Sequence, residues 1–172
     1  MDINQLRALQ APLKERYKQN PESAVIATRA EGIIDGEDIV CRIPTPVGTT
    51  VAGLHPATGG DGSKACSADM LMESLAACAG VTMKAVATAM RIPLKHAKII
   101  AEGSWDARGT LGVDRSAPVG LKEVRLTFEI DSPVDPKKVE KLVHLTERFC
   151  VIFQTLAHPP KLTSHYNVLN QT

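Results

Sequence analysis

Four cysteines, Cys41, Cys66, Cys78 and Cys150, are the residues of this chain with the most chemistry to offer. A thiol is a nucleophile, redox centre or metal ligand in its thiolate form. Metal binding is not expected. The chain has no Cys-x-x-Cys, and His55, His96, His144, His158 and His165 show no ligand spacing. The Gly-rich Thr58–Lys64 lacks the order of a phosphate loop and reads as a flexible crossing, and no Gly-x-Ser-x-Gly elbow is present for serine hydrolysis. A free cysteine is by default a small buried hydrophobe, and that reading stays open for Cys78 and Cys150. On two separate helices they form a redox pair if their Cα atoms come within about 7 Å, a separation that sequence does not give. Cys66 cannot bridge to Cys78 within one chain, because some eleven helical residues set them roughly 16 Å apart. Cys41 has no partner in view, and both read as structural.

The elements that must position these thiols follow from periodicity and punctuation. Asp2–Lys18 reads as a helix, with Leu6, Leu9 and Leu13 near helical spacing. Ser23–Arg29 and Asp38–Ile43 are expected as the strands of a hairpin, joined across the turn signals Glu31-Gly32 and Asp35-Gly36. Pro44–Lys64, with three prolines and a Gly-rich stretch, is expected as a long functional or mobile loop. Ser67 is the expected N-cap of the dominant element, a helix to about Met90 that carries Asp69 near its positive end and Cys78 in its middle. This helix is apolar on nearly every face and so should be buried on every face. Gly80 inside it costs about 1 kcal/mol relative to Ala unless something packs closely there. Strands are expected at His96–Trp105 and Leu121–Ile130, with a mobile turn at Arg108–Pro118 between them. Pro136–Phe149 is a helix with Val139, Leu142, Val143 and Leu145 as its apolar stripe, and Cys150 stands at its end. Val151–Ala157 continues helically until His158-Pro159-Pro160, and Leu162–Val168 is the last expected strand.

A chain of 172 residues, 44% of them apolar, can bury a core as a single domain, and no linker or repeat divides residues 1–172. It has few elements with which to surround so apolar a helix, so a partner subunit is expected. A net charge of +1 gives no electrostatic reason for nucleic acid or an anionic membrane as partner. Met1–Asn20 lacks the basic-then-apolar order of a secretory signal. Glu73, Lys84 and Arg91 interrupt Met70–Leu94, so no run reaches the ~20 apolar residues of a membrane span. A cytoplasmic location is expected, where cysteines stay free or reactive and structural disulfides are rare.

Two segments carry a family resemblance. Ser67-Ala68-Asp69-Met70-Leu71-Met72-Glu73-Ser74-Leu75-Ala76-Ala77-Cys78 resembles the OsmC/Ohr-like helix start, in which a small residue or proline, an acid and an Ala-rich run lead to the reactive cysteine. Phe149-Cys150-Val151-Ile152-Phe153-Gln154-Thr155-Leu156 is similar to that family's second-cysteine segment. The likeness runs from about Ser23 to Val168 and leaves Asp2–Lys18 as an extra N-terminal helix. It implies the α+β OsmC-like fold, an intertwined homodimer whose β-sheets wrap around buried central helices, with the reactive sites at the interface.

The same resemblance implies a two-cysteine peroxidase that reduces organic hydroperoxides in oxidative-stress defence. Cys78 would attack the peroxide and become a sulfenic acid, Cys150 would close a disulfide on it, and a dithiol reductant would restore both. No metal, flavin or haem cofactor is implied. Apolar surroundings raise a thiol's pKa, so a positive group is needed. The resemblance assigns that role to an arginine, for which Arg29 is the best positional match and Arg42 the weaker one, held by an acid, Asp69 or Glu73. Two positions depart from the hydroperoxide-reducing pattern. Ala68 stands where a glutamate is usual, and Val151 stands where a proline follows the second cysteine. Asp69, one residue on, resembles a less characterised OsmC-like branch. The competing readings are a non-catalytic dimeric binding module for a hydrophobic small molecule, with Pro44–Lys64 as lid, and a thiol redox sensor.

Overall fold

The first helix starts where its caps say it should. In the computed structural model, which describes residues 1–169, α1 spans Ile3–Gln19 behind the N-cap Asp2. The Asp2 carboxylate accepts from the N–H groups of Asn4 and Gln5, and the Gln5 side chain accepts from the Asp2 N–H, a reciprocal capping box. The helix buries no residue fully, and Leu9 and Leu13 stay exposed.

The expected first hairpin is corrected. Residues 25–32 run without a ladder, and the strand over Val40–Thr45 (β1) pairs antiparallel with Gly48–Gly53 (β2), in register Cys41↔Ala52. The second strand thus comes from the stretch read as a loop. Pro46 and Val47 alone separate the paired ends Thr45 and Gly48, and Gly48 takes φ 132°, a turn conformation open to glycine. The nearer partner closes the smaller loop at less entropic cost. Ile33 meets Arg42 in an isolated bridge, the one trace of the expected pairing.

Helix α2 spans Ser67–Met90, with Cys66 rather than Ser67 at the N-cap. It ends where Arg91 turns left-handed at φ 56° and Ile92 drops into the core. By length and composition it could cross a membrane, contrary to the expectation from its charged interruptions. Here it is the central packing element. It lies against β3 (His96–Ser104), α4 (Pro136–Phe149) and α5 (Val151–Ala157). Leu75, Ala79, Met83 and Ala87, spaced four apart, form its buried stripe. The expectation of burial on every face is not met within one chain, since Leu71 is exposed and Val81 is 74% exposed. The chain's own elements cover one side of the helix.

Strand β3 pairs antiparallel with β4 (Glu123–Asp131) over nine residues, from His96↔Asp131 to Ser104↔Glu123. The connection between them, expected to be mobile, is pinned. Asp106 caps a single turn, α3 (Ala107–Thr110), and Arg108 bonds both Asp106 and Asp114. The Arg108 hydrogen bond holds the Asp106 carboxyl down at about 2. Helix α4 matches its expected bounds because Asp135 caps the Lys137 N–H and Pro136 opens the first turn. After α5 the chain is exposed, and the strand expected at Leu162–Val168 does not form. An extended run becomes a strand only with a ladder partner, and no described strand pairs with it.

Two clusters make the core. Met83, Ala87, Ile92 and Leu142 lock α2 to α4, with Phe128 and Ile130 of β4 packed on them. Leu75, Ala79 and Cys150 form the other, flanked by Cys78, Ile99, Leu126 and Phe153. The second cluster holds both cysteines that the family resemblance singled out.

Candidate active site

Cys150 is a break between two helices. Its backbone is extended (φ −75°, ψ 111°), so it is at once the C-cap of α4 and the N-cap of α5. Its N–H donates to the Thr146 carbonyl at 2.9 Å, and its own carbonyl accepts from the Gln154 N–H at 2.9 Å. Its sulfur accepts from the Phe153 N–H at 3.5 Å, the side-chain bond of an N-cap. The residue is fully buried. The break leaves the first N–H groups of α5 without helical partners, as at any helix start.

Cys78 stands on α2 beside that break, half-buried against Leu75 and Ala79. Burial acts to raise its pKa. Hydrogen bonds from the Ile152 N–H, the Cys150 thiol, the Val151 N–H and the Thr82 hydroxyl outweigh it, and the net shift is downward. Cys150 shifts the other way. Burial pushes it up and the neighbouring Cys78 sulfur adds to the rise, against the N–H groups of Phe153 and Ile152. The pair is therefore asymmetric. Cys78 is the more readily ionised thiol of the two, and Cys150 the less. That is the division of labour a two-thiol redox centre needs: an accessible nucleophile and a protonated second thiol within reach.

The other expected site residues lie outside this cluster. Arg29 is 83% exposed and its guanidinium pairs with Glu31. Arg42 pairs with Asp35. Asp69 is exposed in the first turn of α2. Nine residues ahead of Cys78, it sits about 13 Å away along the axis and on the opposite side of the helix. Glu73 is exposed too, five residues ahead and away from the cysteine's face. Cys66 caps α2, and Cys41 lies beneath Gly32, where an added Cβ would sit 2.7 Å from its sulfur. Two features of the site escape the sequence reading. The N–H donors of Val151 and Ile152 have no side-chain signature. Thr82 does have one, since it follows Cys78 by four residues on a helix and so shares its face.

An apolar cleft of about 220 Å³, lined by Leu75, Val124, Leu126, Phe153, Leu156 and Ala157, adjoins the cysteine cluster. A second cleft of about 450 Å³ opens at the α4–α5 junction beside Cys150, with Arg148, Gln154 and His158 on its wall.

The sequence matches the model of the OsmC-like protein family over residues 60–165, a span that includes both cysteines and excludes α1 and Arg29. No curated protein matches it. Among solved structures, an OsmC-like protein of Mycoplasma pneumoniae superposes with a TM-score of 0.64 at 20% identity, covering 78% of this chain and 91% of that one. An organic hydroperoxide resistance protein of Legionella pneumophila superposes at 0.60 with 19% identity, covering 78% and 93%. An organic hydroperoxide resistance protein of Bacillus subtilis does so at 0.53 with 18% identity, covering 77% and 93%. Similarity at this level is similarity of fold.

Proposed function

The chain belongs to the OsmC-like protein family, and from that premise we propose that it is a thiol-dependent peroxidase of the cytoplasm acting on organic hydroperoxides. The observation that carries the reading is the packing of Cys78 against the buried Cys150 in one cluster, with opposed pKa shifts on the two thiols. The Cys78 thiolate attacks the terminal peroxide oxygen. The O–O bond breaks, the alcohol leaves with a proton, and Cys78 becomes a sulfenic acid. The Cys150 sulfur then attacks the Cys78 sulfur, and the hydroxyl departs as water once protonated. A dithiol reductant takes the disulfide by exchange and is itself oxidised to a disulfide. The apolar cleft beside the pair suits an alkyl or aromatic peroxide better than hydrogen peroxide.

The active form in this reading is a homodimer. Each chain leaves Val81 and Leu71 of α2 uncovered, together with the unpaired segments around Val25 and Tyr166. Arg29 and Asp69, apart from Cys78 within one chain, would serve the site across that interface. Light scattering at micromolar concentration reads the assembly, and a monomer would sink this part of the proposal.

The test of the chemistry is intact mass and free-thiol count after one equivalent of cumene hydroperoxide, on the wild type and on Cys150→Ser. The expected result is loss of two thiols in the wild type and one oxygen trapped on Cys78 in the variant. If both proteins keep every thiol, the peroxidase reading falls. A binding module then leads, with the apolar pocket of Ile34, Ile39, Ile43 and Leu54 on the hairpin as its place to look.

A further inference from the structure

Gly80 lies inside α2, where a glycine weakens the helix relative to alanine and needs a reason. Close packing is not that reason. An added Cβ would meet only Cγ1 of Ile99, at 3.6 Å, an ordinary contact. What the missing side chain does is keep open a trough of about 280 Å³ between α2 and the start of β3. Its floor is apolar, formed by Gly80, Met83, Leu94 and Ile99. Its rim carries Lys84, Lys95 and His96. Both lysines are exposed, and none of the three rim residues makes an ion pair among the described residues. Asp131, opposite His96 in the β3–β4 ladder, pairs with none of them. Gly80 is two residues beyond Cys78, a rotation of about 200°, so the trough is on the far side of α2 from the thiol. It shares no lining residue with the apolar cleft beside the cysteines.

Unpaired ammonium groups over an apolar floor fit an acyl chain that ends in a carboxylate. At roughly 30 Å³ per water-sized group, the trough takes about nine of them. We propose that it binds a medium-chain fatty acid of about eight to ten carbons. The chain lies on Met83, Leu94 and Ile99, and the carboxylate meets Lys84 and Lys95. Gly80 is the specificity element, since any side chain there would occupy the space of the chain. The site does not depend on the peroxidase reading.

The experiment is isothermal titration of the full chain with sodium octanoate at neutral pH. Octanol keeps the chain without the charge, and octylamine reverses the charge. Octanoate should bind, octanol about tenfold more weakly, and octylamine not at all. The double variant Lys84→Glu, Lys95→Glu should lose about tenfold or more for octanoate and keep its affinity for octanol. Gly80→Leu fills the trough and should abolish binding. Gly80→Ala should bind octanoate more weakly while its Tm rises by about 2–4 °C, which decides the matter if the leucine variant fails to fold. Cys78→Ser should bind as the wild type does. Equal affinity for octanoate and octanol, or a double variant that binds octanoate unchanged, overturns the proposal. Loss of binding in Cys78→Ser also overturns it, by putting the ligand at the thiol. So does a wild type that takes up no octanoate, and if its light-scattering mass falls in Gly80→Leu, the occupant of the trough is a second copy of the chain.

Discussion

Oxidising Cys78 and Cys150 to a disulfide should make the protein markedly harder to unfold. The two thiols already pack in one cluster in the reduced fold, so joining them asks for little rearrangement. Positions 78 and 150 are 72 residues apart. In the chain-entropy account, closing a loop of that length removes about 15 cal/mol/K from the unfolded ensemble, or about 4 kcal/mol at 25 °C. With a urea m-value of about 2–3 kcal/mol/M for a chain of this size, the unfolding midpoint should rise by roughly 1.5–2 M. The assay is urea unfolding followed by circular dichroism at one protein concentration, on protein oxidised by one equivalent of peroxide and on the same protein after dithiothreitol. An oxidised form with an unchanged or lower midpoint would mean that the bond distorts the fold. The thiols would then not be apposed as described, and the two-cysteine mechanism would lose its geometric basis.

Leu142→Ala should destabilise by about 3 kcal/mol, since Leu142 is fully buried where α4 meets α2 and its loss leaves a cavity between rigid helices. That corresponds to a fall in Tm of roughly 6–12 °C, and a fall under 2 °C would contradict the packing. Val151→Pro removes one donor to Cys78 while suiting the backbone: it is the first position of α5, and Cys150 before it is already extended. The alkylation midpoint of Cys78 should rise with helix content unchanged, and an unmoved midpoint would show that this N–H does not reach the sulfur. The sign for stability follows from the lowered Cys78 pKa. Its contribution is fully present above the unfolded thiol's pKa and is lost as pH falls through the folded value. The raised Cys150 pKa works oppositely, weakening the fold as pH climbs past the unfolded thiol's pKa. Alkylation should therefore reach Cys78 first at every pH.

What the sequence disclosed depended on whether the signal was local. Helix α4 was legible to the residue because Asp135-Pro136 opens it and its stripe of Val139, Leu142 and Val143 repeats with the helix. Strands β3 and β4 were legible within two residues at each end. Pairing was not. Periodicity says that Ser23–Arg29 is extended but not which chain segment completes its ladder, and the proline-rich look of Pro44–Lys64 hid a strand that closes the tightest turn available. In the site, the cysteines were legible as thiols and their pairing came through the resemblance alone. The Val151 and Ile152 donors were invisible, because they are backbone groups made available by a helix break that no proline or glycine marks. A valine in the place of a proline reads as a departure, yet it supplies an N–H that proline would lack.

The burial expected on every face of α2 is not reached within one chain, and what stays uncovered is informative. A helix with Leu71 and Val81 left in solvent, an α1 with Leu9 and Leu13 uncovered, and extended apolar runs at both ends of the family core all carry the same cost. Unpaired extended backbone is a template for association. Each exposed feature could be excused singly. Together they contrast with the packed clusters that α2 and α4 form with the β3–β4 sheet, down to the fully buried Cys150. A second copy presenting the same unpaired runs and the same bare helix face would cover all of them through one two-fold contact, each chain receiving what it supplies. That contact would also close over the half-exposed side of Cys78. In the proposed dimer, then, the feature that makes the single chain look unfinished also excludes water from its thiolate.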